Sequence, residues 1–174
     1  MSAARPVLSV EAQFAAVRPW VPARAALRRW AEAAHRAALA DRRPAPARDP
    51  GTSAGRLCMR VVGPAESRRL NRAYRGKDQP TNVLSFPASS EERALGGALG
   101  DLVICAAVVA AEAREQGKAR PAHWAHMVVH GVLHLHGYDH GRPRAARAME
   151  RLEVEILGGF GYQNPYLSVI DPGK

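Results

Sequence analysis

Asp101-Leu-Val-Ile-Cys-Ala-Ala-Val-Val-Ala-Ala-Glu-Ala-Arg-Glu-Gln-Gly117 is a strand that turns directly into a helix. Asp101 to Cys105 is short and apolar enough to lie inside a sheet. Ala106 to Gln116 is rich in helix formers and stops at Gly117. Upstream, Pro6 to Gln13 alternates loosely and Leu57 to Val62 is apolar, so both read as strands. Asn82 to Phe86 reads as a third short strand, ended by Pro87, which makes Asp101 to Cys105 the fourth. Between them, Val21 to Ala40 is an amphipathic helix with Trp30 on its apolar side. Pro64 starts another that runs to about Tyr74.

Downstream, Pro121 to Leu135 is a long helix ended by Gly137. Arg144 to Leu157 is the last, with Met149, Leu152 and Ile156 on one face and acids on the other. Arg42 to Gly55, with Pro44, Pro46 and Pro50, is expected to be a flexible loop, and Ser89 to Gly97 a second loop. The order β-α-β-α-β-β-α-α-α, with no internal repeat, predicts one α+β (mixed α/β) domain over residues 1–174. Its small four-stranded sheet packs against about five helices.

The 174 residues suit one domain, and 47% hydrophobic content is enough for one core. No run approaches the roughly 18 uncharged apolar residues of a membrane helix, and the N-terminus has no long apolar stretch of a secretory signal. A cytoplasmic location without membrane contact is expected. Cys58 and Cys105 both sit among apolar residues and read as buried thiols. No CxxC pair exists, which excludes a cysteine-based zinc finger. The net charge is +9 and the pI about 10.5. Residues 1–50 hold nine Arg against four acids, and the rest holds sixteen basic residues against twelve acidic ones. The excess is therefore not a detachable tail, and it suits a polyanionic partner such as nucleic acid.

The chemistry concentrates in His130-Gly-Val-Leu-His134-Leu-His-Gly137-Tyr-Asp-His140. His130 and His134 lie one helical turn apart, with Cβ atoms roughly 6 Å from each other. Gly137 can adopt a left-handed conformation and return His140 as a third nitrogen ligand. Imidazole ligands without cysteine suit Zn²⁺, one per chain. Three ligands with no evident fourth leave a position for water, the pattern of a catalytic rather than a structural site. His126 is one turn before His130, but the helix rises about 12 Å from His126 to His134, so these three cannot share one ion. His126 is expected behind the ligands or in the cleft, and is the candidate general base. His136 points away from the pair, and His123 and His35 are expected at the surface. Asp139 either orients a ligand imidazole or caps the turn.

The spacing matches the metzincin protease pattern HExxHxxGxxH. The general-base glutamate of that pattern is replaced by Gly131, so a peptidase loses its proton acceptor. A second segment, Ser67 to Phe86, supplies cations. Arg68, Arg69 and Arg72 form a solvated helix face. Arg75 and Lys77 sit at a helix end beside Gly76, where guanidinium and ammonium groups suit phosphate oxygens.

Three stretches resemble the YbeY family of bacterial rRNA-maturation endoribonucleases: Tyr74-Arg-Gly-Lys-Asp-Gln-Pro-Thr-Asn-Val-Leu-Ser-Phe-Pro87, Leu99-Gly-Asp-Leu-Val-Ile-Cys105, and His123 to His140. The likeness covers about residues 57–167 and includes Gly161-Tyr-Gln-Asn-Pro-Tyr166. It implies that His130, His134 and His140 hold zinc in a cleft between sheet and helices. It also implies that Arg75 is the required arginine of the substrate cleft, catalytic together with His130. The implied substrate is single-stranded RNA, notably the 3′ end of small-subunit rRNA, with a further role in ribosome quality control. A ribosomal protein or an assembly GTPase is an expected partner. Two features depart from the family pattern. The Pro-rich segment 42–55 is an elaboration, and Gly141-Arg-Pro-Arg-Ala-Ala-Arg147 is basic where acids are common in relatives. A ribosome-assembly factor with a mainly structural zinc and a different zinc hydrolase are the competing readings.

Overall fold

The computed structural model describes residues 7–41 and 54–167. The elements run β1 (Val7–Phe14), α1 (Arg24–Ala40), β2 (Ala54–Val62), α2 (Pro64–Arg75), β3 (Val83–Pro87), α3 (Ser90–Gly96), β4 (Ala98–Cys105), α4 (Ala106–Glu115), α5 (Arg120–Leu135) and α6 (Pro143–Gly159). The four strands form one sheet in the order β1-β2-β4-β3. β1, β2 and β4 are mutually parallel, and β3 pairs antiparallel at the edge of β4. A parallel neighbour cannot be reached by a tight turn, so α1 serves as the crossover between β1 and β2. The expected α+β fold with a four-stranded mixed sheet is what the chain adopts.

Strand alternation divides the side chains between two layers. Leu8, Leu57, Met59, Leu102 and Ile104 pack with α1 and α5 in the main core. Val62, Leu84, Val103 and Cys105 face the other way, against Leu70 of α2. α5 lies between sheet and outer helices. Trp124, Val128, Val129, Val132 and Leu133 are all fully buried, so the helix is apolar around most of its circumference. Each such side chain stabilises the fold by about 1.5–3 kcal/mol relative to exposure. Truncating Leu102 beneath the helix to Ala would cost about 2–5 kcal/mol. Among the described residues no helix is long and apolar enough to cross a membrane.

Several expectations need correction. Ser89 to Gly97 is not a loop throughout, because it contains α3, bringing the helices to six. Ser89 accepts from the Glu92 backbone, the Glu92 carboxylate accepts from the Ser89 backbone, and Gly97 closes the helix at φ 62. These contacts satisfy terminal groups that so short a helix could not satisfy by packing. His35 and His123 are buried rather than superficial. His35 Nδ1 lies 3.0 Å from His136 Nε2 and so joins α1 to the end of α5. His123 Nε2 lies 2.7 Å from Glu112 on α4. Cys105 is buried, but Cys58 is only half-buried, on the less covered sheet face. The 42–55 loop falls outside the described residues except for its last two, which already belong to β2.

Candidate metal centre

α5 carries His130 and His134 on one face, because residues four apart on a helix are neighbours. Their ring centroids are 4.5 Å apart. At the helix end Gly137 takes φ 87. The Gly137 backbone N–H donates to His134 O, and that of Tyr138 to Leu133 O, closing the last turn. The reversal brings the His140 ring to 5.0 Å from that of His134 and 5.6 Å from that of His130. One nitrogen from each histidine lies within 4.8 Å of the others. This group could therefore hold a metal ion. His140 is exposed and the other two are half-buried, so the group opens to solvent on the His140 side.

His126, His130 and Glu153 form a second group within the same distance limit, and bond lengths separate the two. Tetrahedral zinc, with Zn–N bonds of about 2.0–2.1 Å, keeps two ligand nitrogens about 3.3 Å apart. His130 Nε2 and His134 Nε2 are 3.0 Å apart, close to that span. His130 Nδ1 and Glu153 Oε1 are 2.6 Å apart, too close for two ligands of one ion and right for a charge-assisted hydrogen bond. The donor chemistry agrees. An ionised Glu153 can only accept, so Nδ1 of His130 carries the proton and Nε2 keeps its lone pair. The lone pair on Nε2 of His130 therefore faces Nε2 of His134 at 3.0 Å.

Glu153 is fully buried on α6. Burial alone would raise its pKa, but hydrogen bonds from His126 and His130, the His130 charge and the Tyr166 hydroxyl outweigh it and bring the carboxyl down to about 2. The expectation that the acids of this helix all face away from its apolar side is therefore wrong for Glu153. Met149, Leu152, Glu153 and Ile156 share one stripe at spacings of three and four, and that interruption of an apolar stripe by a carboxylate is the signal that could have revealed it. His126 Nε2 lies 3.3 Å from Glu153 Oε2, placing His126 behind His130. Asp139 caps the turn, as its Oδ1 accepts from the backbone N–H groups of His140 at 2.7 Å and Gly141 at 3.2 Å.

Gly131 has a positive reason to be glycine. A Cβ there would lie 2.8 Å from Leu102 Cδ2 and 3.3 Å from Val83 Cγ2. The position faces the sheet rather than the histidines, so a glutamate at 131 would enter the core.

Arg75 and Lys77 are exposed at the end of α2, on a different element from the histidines. The turn that presents them is tied down. Arg68 holds Asp78 through two 2.8 Å contacts, Asn71 Nδ2 donates to Gln79 O, and buried Ser67 both donates to Thr81 O and accepts from its N–H. Tyr74 stacks edge-on against Phe86 of β3 at 4.9 Å. On the same strand Ser85 Oγ donates to Gly131 O at 3.3 Å. The edge strand β3 thus touches both α2, which ends at the cationic turn, and the histidine-bearing helix α5.

A family described as endoribonuclease YbeY matches residues 23–161. A protein of Alkalilimnicola ehrlichii named endoribonuclease YbeY is 51% identical over 165 residues, covering 92% of each chain. One of the same name from Methylococcus capsulatus is 50% identical over 149 residues, covering 86% of this chain and 89% of the relative. The solution structure of TM1509 from Thermotoga maritima superposes with a TM-score of 0.54 at 23% identity, over 96% of this chain and 99% of the other. That last likeness concerns the fold alone.

Proposed function

The chain belongs to the endoribonuclease YbeY family, and on that premise we propose that it is a zinc-dependent endoribonuclease acting on single-stranded RNA. The observation that carries the metal part is the convergence of three imidazole nitrogens at the end of α5 within 4.8 Å of one another. His130, His134 and His140 would hold one zinc per chain. A zinc ion held there supplies Lewis acidity toward phosphate oxygens and lowers the pKa of water to about 7. The residues of the chain do the rest. Arg75, with Lys77 beside it, neutralises charge on the scissile phosphate as it builds in the transition state. The net charge of +9 gathers RNA through its backbone without reading bases.

The substrate that the family likeness favours is the 3′ end of small-subunit rRNA, in maturation and ribosome quality control in the cytoplasm. A ribosomal protein or an assembly GTPase is the matching partner. Chelation tests the reading. A single-stranded RNA carrying that 3′ end is cut by the protein, spared after metal removal, and cut again when zinc is restored. Undiminished cutting by the chelated protein refutes the zinc dependence. Zinc uptake without cutting moves the assembly-factor reading to first place. Cleavage of an ester or peptide but not RNA points to another hydrolase.

A further inference from the structure

Outside the three histidines, Glu153 is a buried carboxylate that meets three side-chain donors. It is fully buried on α6, yet both carboxylate oxygens are engaged. Oε1 takes the 2.6 Å contact from His130 Nδ1, and Oε2 takes His126 Nε2 at 3.3 Å together with the Tyr166 hydroxyl. Tyr166 arrives from the chain end. α6 stops at Phe160, Gly161 takes φ 81, and the Tyr162 N–H donates to Leu157 O, reversing the chain. The returning segment is pinned by Lys118 Nζ, which donates to Pro165 O at 2.9 Å, and by the Tyr166 N–H, which donates to Asn164 Oδ1. A carboxylate isolated from water and held by three donors, two on α5 and one on the segment after α6, is expensive unless those contacts are kept. Its geometry is therefore over-determined, as a positioning group requires.

We propose that Glu153 is a positioning residue for the metal centre. It fixes His130 as the Nδ1–H tautomer so that Nε2 turns its lone pair toward His134, and Tyr166 holds the other carboxylate oxygen in register. The same logic assigns the Nε2–H tautomer to His126, whose buried Nδ1 makes no hydrogen bond. His126 then supports the carboxylate rather than the metal. The inference rests on the reading of His130 as a ligand.

A glutamine at 153 keeps the shape but can donate as well as accept, so it permits the wrong His130 tautomer. The test uses full-length protein labelled with ¹⁵N at histidine, after metal removal, in long-range ¹H–¹⁵N spectra, alongside zinc titration of the same samples. Wild type is expected to show His130 protonated at Nδ1. Glu153→Gln is expected to shift His130 toward Nε2–H and weaken zinc binding about 10- to 100-fold. Tyr166→Phe is expected to weaken it less, in the same direction. Glu155→Gln, an exposed acid on the same helix, is expected to leave both readouts unchanged. A loss of packing alone would not move the tautomer. The proposal is overturned if wild-type His130 carries its proton on Nε2, or if Glu153→Gln keeps both the wild-type tautomer and affinity. Should Glu153→Gln not fold, Tyr166→Phe decides, and wild-type zinc affinity there overturns it. If wild type takes up no zinc at all, the metal reading falls separately, and the apo tautomer still decides whether Glu153 sets His130.

Discussion

His134 carries its imidazole into a half-buried position beside two others. Burial first, then the proximity of His130 and His140, holds it down to about 4. The unfolded chain protonates a histidine near 6.5. Between those values the unfolded state binds a proton that the native state refuses, so stability falls as pH falls. His126 shifts in the same direction, again chiefly through burial. Glu153 follows in a lower window. Its carboxyl ionises near 4.5 when unfolded and near 2 when folded, so its contribution is complete above 4.5 and disappears as pH falls toward 2. The melting temperature of the metal-free protein is therefore expected to fall from pH 6.5 downward, in two overlapping stages. His134→Ala is expected to shrink the upper stage and leave the lower one. A melting temperature flat between pH 6.5 and 4.5 in the wild type would contradict this assignment.

At the scale of elements, the turn after α5 decides whether two candidate ligands become three. Gly137 sits at φ 87, where a Cβ costs about 1–2 kcal/mol. Gly137→Ala is expected to lower stability by that amount in denaturant titration and to weaken zinc binding more than a substitution on the exposed face of α6. Equal zinc affinity in this variant would mean that His140 reaches the site without the turn. This part of the site was legible in advance, because a pair of histidines four apart followed by glycine and a third histidine is local geometry. Glu153 was harder to read, because α6 meets α5 only through tertiary packing, and its one local sign is a carboxylate interrupting the apolar stripe of Met149, Leu152 and Ile156. His35 was hidden for a similar reason, since it lies in the buried stripe of α1 with Trp30, Ala31 and Ala34. The helix α3 had a visible signature, Ser89 followed three residues later by Glu92, but its seven residues bury nothing and show no apolar period. The strand and helix order was readable because each strand is apolar and most breaks carry Gly or Pro. The parallel pairing of β1, β2 and β4 depends on crossovers that no local pattern specifies.

For the whole molecule, charge and site divide the work. In the proposed function, the net charge of +9 spread over the chain would attract RNA at long range, and the histidine centre would act on what arrives. The logarithm of RNA affinity is expected to fall linearly with the logarithm of salt, by about 0.7 per phosphate contact. Arg75→Ala is expected to reduce that slope by about one contact, and cleavage by more than binding if its cation acts on the transition state as proposed. A slope that does not change in the variant would remove Arg75 from the phosphate path. The most direct test of the central claim joins both halves in one preparation: bound zinc and cleavage of single-stranded RNA, measured for wild type and His134→Ala. The account predicts about one zinc per wild-type chain with cutting, and loss of both in the variant. Equal cutting by the two proteins, or a variant that keeps its zinc, would contradict it.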